Sequence, residues 1–302
     1  MTIVTCLSGG LGNQLFQYAA GRALAERLGR ALVADLGWFK AVPPDSTPRV
    51  PMLQHLRLEL PAADAAVLGL PRRREPQRWW QRLRPMRVPP GTARLIVERE
   101  PFRFDRRLLQ VPHDAQVVVL QGYWQSYRYL EPIRARLLDE VRARAEPAPR
   151  YRALADTIAA TESVMLHVRR GDYVGPTTAS TVHGALPLRY YERALQALAQ
   201  RVARPTVFVF SDDLDWARRH LSLPFETVWV ESVPGDDAVV HELGLMRRCR
   251  HHVIANSSLS WWGAWLGTHA PRVVVAPSVW LHARRIDLRD LMPPGWLILD
   301  AT

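Results

Sequence analysis

The chain has 302 residues, 48% hydrophobic and 23% charged, a balance that excludes a disordered or fibrous protein and allows two ordinary globular units. Two cysteines, Cys6 and Cys249, exclude a disulfide framework, and no apolar run approaches the roughly 20 residues of a membrane span. The net charge of +11 is concentrated, since residues 72–107 carry twelve arginines against Glu75, Glu98, Glu100 and Asp105. The chain begins Met1-Thr2 and enters Ile3–Leu7 without a basic leader, so a cytoplasmic location is expected.

Residues 2–7 read as a strand, followed by Ser8-Gly9-Gly10-Leu11-Gly12-Asn13-Gln14 and an amphipathic helix to about Leu28, with Leu15, Ala19, Leu24 and Leu28 near helical spacing and Gly29 as its stop. A glycine-rich turn opening a helix presents unpaired N–H groups to an anion. Gly10-x-Gly12, with a second strand over 31–34 ending in Asp35, also matches most of a dinucleotide fingerprint and supports a rival reading, an NAD-dependent oxidoreductase. Leu15 stands where that fingerprint needs its third glycine, which counts against it.

Residues 40–110 are rich in proline and arginine and predict loops and short helices. The basic 72–107 stretch includes Trp79-Trp80 and is either a solvated insertion or a contact for an anionic membrane surface; nucleic acid is not the expected partner. Residues 116–120 predict a buried strand, followed by Gly122-Tyr123-Trp124-Gln125-Ser126 and a helix from about Tyr127 to Arg144. The Tyr123-Trp124 pair can stack on a sugar ring or pack at an interdomain seam. Glu146-Pro147-Ala148-Pro149 breaks the pattern and marks the expected boundary between units 1–148 and 149–302.

The second half alternates strands and helices, as in a parallel sheet. A strand over 164–168 runs into Arg169-Arg170-Gly171-Asp172-Tyr173, two forked cations where ligands of open sheets sit. On an extended chain neighbouring side chains diverge, so one arginine is expected to face a phosphate and the other to brace the loop, with Asp172 as its nearest carboxylate. A helix around 188–202 and a strand over 206–210 lead to Ser211-Asp212-Asp213, where Ser211 fits a helix cap and the turn equally fits ribose or base recognition. Asp213 and Asp215 match a metal-binding acidic pair in form only. A strand over 227–230 and a helix over 238–250 precede Val253–Trp265, where Asn256, Ser257 and Ser258 form a neutral anion cradle before a helix whose Trp261, Trp262 and Trp265 predict core packing. Residues 273–276 predict the last strand.

Gly9–Ala19, Gly122–Ser126, His167–Tyr173, Phe210–Asp213 and Ile254–Trp265 occur in one order, and together they closely resemble the family 11 glycosyltransferases, the α-1,2-fucosyltransferases. The resemblance implies an α/β GT-B fold, two Rossmann-like domains facing across a cleft, with acceptor on the 1–148 side and donor on the 149–302 side. It implies inverting transfer of L-fucose from GDP-fucose to the 2-hydroxyl of a β-galactoside, a lipid-linked one included, in surface-glycan synthesis, with no cofactor and no required metal. By motif, Arg169 or Arg170 holds the diphosphate, His167, Ser211, Asp212 and Asp213 lie near guanosine, Asn256, Ser257 and Ser258 assist the phosphate, and Gly10, Gly12 and Asn13 close over it. Tyr123, Trp124 and Gln125 are the expected acceptor contacts. Asp172 is the candidate base or the partner of Arg170, with His183 as a further base candidate. The cytoplasmic location then extends to the inner membrane face through residues 72–107. A non-catalytic sugar- or membrane-binding protein is the third reading; it would keep the aromatics and could dispense with Arg169 and Arg170.

Overall fold

The structure is a computed structural model describing residues 2–41, 47–64, 93–111, 115–174, 181–283 and 286–301; the Asp172 side chain and residues 72–92 of the basic stretch lie outside the described residues. The first sheet comprises β1 (Thr2–Cys6), β2 (Ala31–Asp35), β3 (Ala93–Val97) and β4 (Val117–Gln121), all parallel, in the order β2-β1-β4-β3. The second comprises β5 (Ser163–Val168), β6 (Thr206–Ser211), β7 (Glu226–Trp229), β8 (His251–Val253), β9 (Val274–Pro277) and β10 (Leu297–Leu299), again all parallel, in the order β10-β9-β8-β5-β6-β7. Two parallel α/β sheets with facing carboxyl edges make this a GT-B fold.

Parallel sheets bury both faces, which is why β9 and, apart from Ser163 and His167, β5 read as apolar runs and are buried at every position. Helix α1 (Leu11–Leu28) ends at Gly29, whose φ of 62° is the left-handed cap that glycine adopts without strain. Its exposed face is far narrower than an amphipathic surface helix would show, because β1 lies on one side and the second half of the molecule on the other.

Three expectations are corrected. The helix predicted over 127–144 is two short 3-10 turns and then α2 (Arg134–Glu140): Pro132 has no N–H to donate, and beyond Val141 the chain extends to bond Arg57 N–H and His55 C=O. The break expected at 146–149 does fall between two helices, α2 and α3 (Pro149–Ala160), and Pro149 opens the second, where a missing N–H costs nothing. The 40–110 stretch contains β3, an edge strand paired to β4, and the strand expected last, at 273–276, is followed by β10, which pairs with it at the sheet edge.

Besides a single turn at Gly37–Lys40, the other α-helices among the described residues are α4 (Leu188–Ala199), α5 (Leu214–His220), α6 (Ala238–Met246) and α7 (Ser258–Leu266). The two halves are joined where α1 meets α7. Phe16 packs on Trp261 and Trp262 at 4.6 and 5.2 Å between ring centroids, and Trp262 Nε1 donates to Gly12 O at 3.0 Å. All three tryptophans of α7 are buried. The tail returns to the first half, with Arg103 bonded to Asp287 and Phe104 N–H donating to Asp290 at 3.0 Å.

Candidate active site

In an open parallel sheet, ligands bind beyond the strand carboxyl ends, at the point where the strand order reverses. In the first sheet that point lies between β1 and β4, in the second between β5 and β8. The loops leaving these four strands are 8–10, 122–126, 169–174 and 254–257, so the motifs scattered along the chain are gathered by topology into the cleft.

Two helix N-termini meet there. A Cβ added at Gly12 would lie 2.6 Å from Ser258 C and Leu259 N, so the first turn of α1 touches the first turn of α7 with no room for a side chain. Neither helix has a side-chain cap on its N-terminal amides. Their unsatisfied N–H groups and aligned dipoles favour an anion. The glycine turn is fixed from behind by two glutamines that the sequence did not single out. Gln14 Nε2 donates to Gly9 O and Val50 O, both at 2.9 Å, while its Oε1 accepts from Met52 N–H; Gln17 Nε2 donates to Ser8 Oγ and Gly122 O. Leu15 is fully buried against the core, in place of the glycine that a dinucleotide site needs.

The arginine loop is organised by carboxylates from the neighbouring strand. Asp212 accepts Arg170 N–H at 2.8 Å and pairs with Arg169 at 2.9 Å; Asp213 lies 3.3 Å from Arg170 Nε. Both arginines thus have a carboxylate partner just beyond β6, while the brace expected of Asp172 lies outside the described residues. Each guanidinium carries five N–H donors, so a carboxylate that orients it leaves the group able to bind a phosphate. The two cations are also stacked, Arg169 over Tyr173 at 5.2 Å and Arg170 over Trp216 at 4.0 Å, which fixes their planes. A Cβ at Gly171 would fall 2.4 Å from Asp212 Oδ2, so glycine is what lets the carboxylate reach the loop.

Several expected ligand contacts have other roles. Asp213, not Ser211, caps α5, accepting Trp216 N–H at 3.1 Å, while Ser211 Oγ accepts Asp213 N–H. Asn256 is 1% exposed, and its Nδ2 donates to His183 O and Gly184 O at 3.2 and 3.1 Å; it ties the 181–184 segment to the cradle rather than facing the cleft. Trp124 is fully buried, its ring edge-on to Tyr129 at 6.1 Å, which corrects its expected stacking on a sugar, whereas Tyr123 is 43% exposed. Gln125 is buried and donates to Asn13 Oδ1 at 2.9 Å. His183 stacks flat on Tyr173 at 4.9 Å.

His167 is buried at the end of β5, with Nδ1 lacking a hydrogen-bond partner among the described residues. Burial pulls its pKa down to about 4, with Arg169 adding to the fall and Asp212 opposing it, so the ring is neutral at pH 7.

Compared with known proteins, residues 105–300 match Glycosyl transferase family 11. The chain is 28% identical to the alpha-1,2-colitosyltransferase of Escherichia coli over 308 aligned residues, covering 99% of each. It is 30% identical to the O-antigen biosynthesis glycosyltransferase WbnK of Escherichia coli, covering 91% of this chain and 94% of that one. It is 26% identical to the galactoside 2-alpha-L-fucosyltransferase SEC1 of Bos taurus, covering 85% of this chain and 62% of that protein.

Proposed function

From the premise that the chain belongs to glycosyl transferase family 11, we propose that it moves L-fucose from GDP-fucose to the 2-hydroxyl of a β-galactoside, with inversion, during surface-glycan synthesis. The observation that carries this is the meeting of two uncapped helix N-termini beside two braced arginines, a built receptor for a diphosphate. The α-1,2 linkage is supported by two of the relatives, one a colitosyl and one a fucosyl transferase.

The chemistry follows from where charge develops. As the bond between fucose C1 and the β-phosphate oxygen breaks, negative charge grows on departing GDP. Donors held by Asp212, Asp213 and the α1–α7 contact need no reorganisation at that moment, so they stabilise the transition state more than the ground state. Guanidinium and amide donors take the role that a divalent ion has in other sugar transfers, and no required metal is proposed. The 2-hydroxyl attacks from the opposite face and loses its proton, with Asp172 or His183 as the base. Tyr123 offers the exposed ring for the galactoside, on an acceptor unit taken as 1–148, and the donor unit is taken as 149–302.

Colitose is fucose without its 3-hydroxyl, and the 99% coverage by the colitosyl relative favours a second reading with that donor. A panel of GDP- and UDP-sugars with galactosides, and linkage analysis of any product, tests both. Product from GDP-fucose with an α-1,2 bond supports the first reading. A site that hydrogen-bonds the 3-hydroxyl rejects the deoxy sugar strongly, by up to about 10⁴-fold, so turnover of GDP-colitose alone supports the second. Turnover of UDP-sugars only overturns both.

A further inference from the structure

Glu98 follows β3 at the carboxyl edge of the first sheet, next to the strand end from which the 122–126 loop departs. Its Oε2 accepts Tyr123 N–H at 2.8 Å and its Oε1 accepts Trp124 N–H at 3.0 Å, so one carboxylate holds two successive backbone amides. The turn it holds is not one the chain adopts freely: Gly122 has φ 153° and Trp124, a non-glycine residue, φ 56°. A Cβ at Gly122 would lie 2.4 Å from Glu98 Cβ, so the missing side chain makes room for the acid. From this turn, Gly122 O accepts from Gln17 and Gln125 donates to Asn13, linking it to the glycine turn at the mouth of the cleft. Exposed Tyr123 rides on it.

We propose that Glu98 is a positioning residue for the acceptor: as a carboxylate it holds the Gly122–Gln125 turn in the shape that offers Tyr123 to the acceptor sugar. The inference deepens the transferase reading and rests on it.

The two N–H groups are taken by separate oxygens, and an amide here would set an NH2 donor against one of them, which is the chemical reason for a carboxylate. It is held there at a cost. Burial pushes the pKa up to about 7, against the two amides that lower it, and the charge of Asp105 adds to the rise. The other groups facing this region are Tyr129, whose hydroxyl accepts Asp105 N–H, Arg107, which pairs with Asp105, and Arg99, whose charge also acts on Asp105. Protonation puts hydrogen on one oxygen and removes the charge that strengthens both bonds, so the hold on the two amides weakens and the turn loosens as pH falls through about 7. His167, neutral down to about 4, cannot produce a limb in that range.

The test compares transfer to a galactoside with slow hydrolysis of the GDP-sugar by water, in the wild-type chain and in Glu98→Gln. Transfer by the wild type should show an acidic limb near pH 7 that hydrolysis lacks. In Glu98→Gln, kcat/KM for the galactoside should drop about tenfold through KM, the limb should disappear, and GDP affinity and hydrolysis should hold. Unchanged acceptor KM, or loss of GDP affinity and hydrolysis in step with transfer, overturns the assignment. Should the variant not fold, the wild-type profiles decide: the same limb in both reactions overturns it, a limb in transfer alone supports it. Should no GDP-sugar turn over, the donor reading fails, and saturation-transfer NMR with a β-galactoside then reads Glu98 separately. Weaker binding in the variant supports the role; equal binding, or none to the wild type, overturns it.

Discussion

At the scale of single residues, the site is a set of side chains whose partners decide their chemistry. Arg169 and Arg170 are adjacent in sequence yet bound by different carboxylates and different rings, so replacing either removes one fixed donor. Arg169→Ala and Arg170→Ala are each expected to cost about 3 kcal/mol of barrier, near 100-fold in kcat, read by steady-state transfer. GDP binding unchanged in both would remove the phosphate assignment. Gly171→Ala should displace Asp212 and so release the Arg169 side chain and the Arg170 N–H at once; titration calorimetry with GDP should show about a tenfold loss of affinity. A buried neutral histidine has a stability signature. His167 stays neutral down to about pH 4 and His252 to about 3, whereas an unfolded chain protonates them near 6.5. The unfolded state therefore binds more protons in that window, and denaturant midpoints should fall as pH drops from 6.5 towards 4.

At the scale of elements, the contact between α1 and α7 joins the halves and builds the anion site with the same atoms. Besides Ser258 Oγ, its neighbours at Gly12 are backbone atoms of Ser258 and Leu259, which cannot swing aside, so Gly12→Ala should cost about 1–3 kcal/mol in thermal stability and weaken GDP binding together. Trp262→Phe keeps most of the packing but leaves Gly12 O without its buried donor. The expected loss is about 1–3 kcal/mol, and a calorimetric scan showing no change would detach this bond from the joining of the halves.

At the scale of the whole molecule, two parallel sheets face one cleft and the tail returns to latch the first half through Asp287 and Asp290. No described helix is long and apolar enough to cross a membrane. The charge of residues 72–107 gives a separate expectation, since contact with anionic lipid should make vesicle co-sedimentation fall with salt. Salt-independent or absent binding ends that proposal. Transfer activity is expected to survive EDTA; its loss, with recovery on adding a divalent cation, would reinstate a metal.

The sequence by itself determined most of the strands, α1 with its glycine stop, and the motifs at the strand ends, because these are written in local runs, turn residues and glycines whose effects act within a few positions. The edge strand β3 was lost in a proline- and arginine-rich stretch, since five residues without neighbours carry little pattern. Partnership was beyond local reading. That Arg170 is held by Asp212 and Asp213, Trp124 is core while Tyr123 is exposed, and Glu98 serves a turn 25 residues away follows from which strands lie side by side. Strand order is set by packing of the whole chain, and only the tertiary structure decides it.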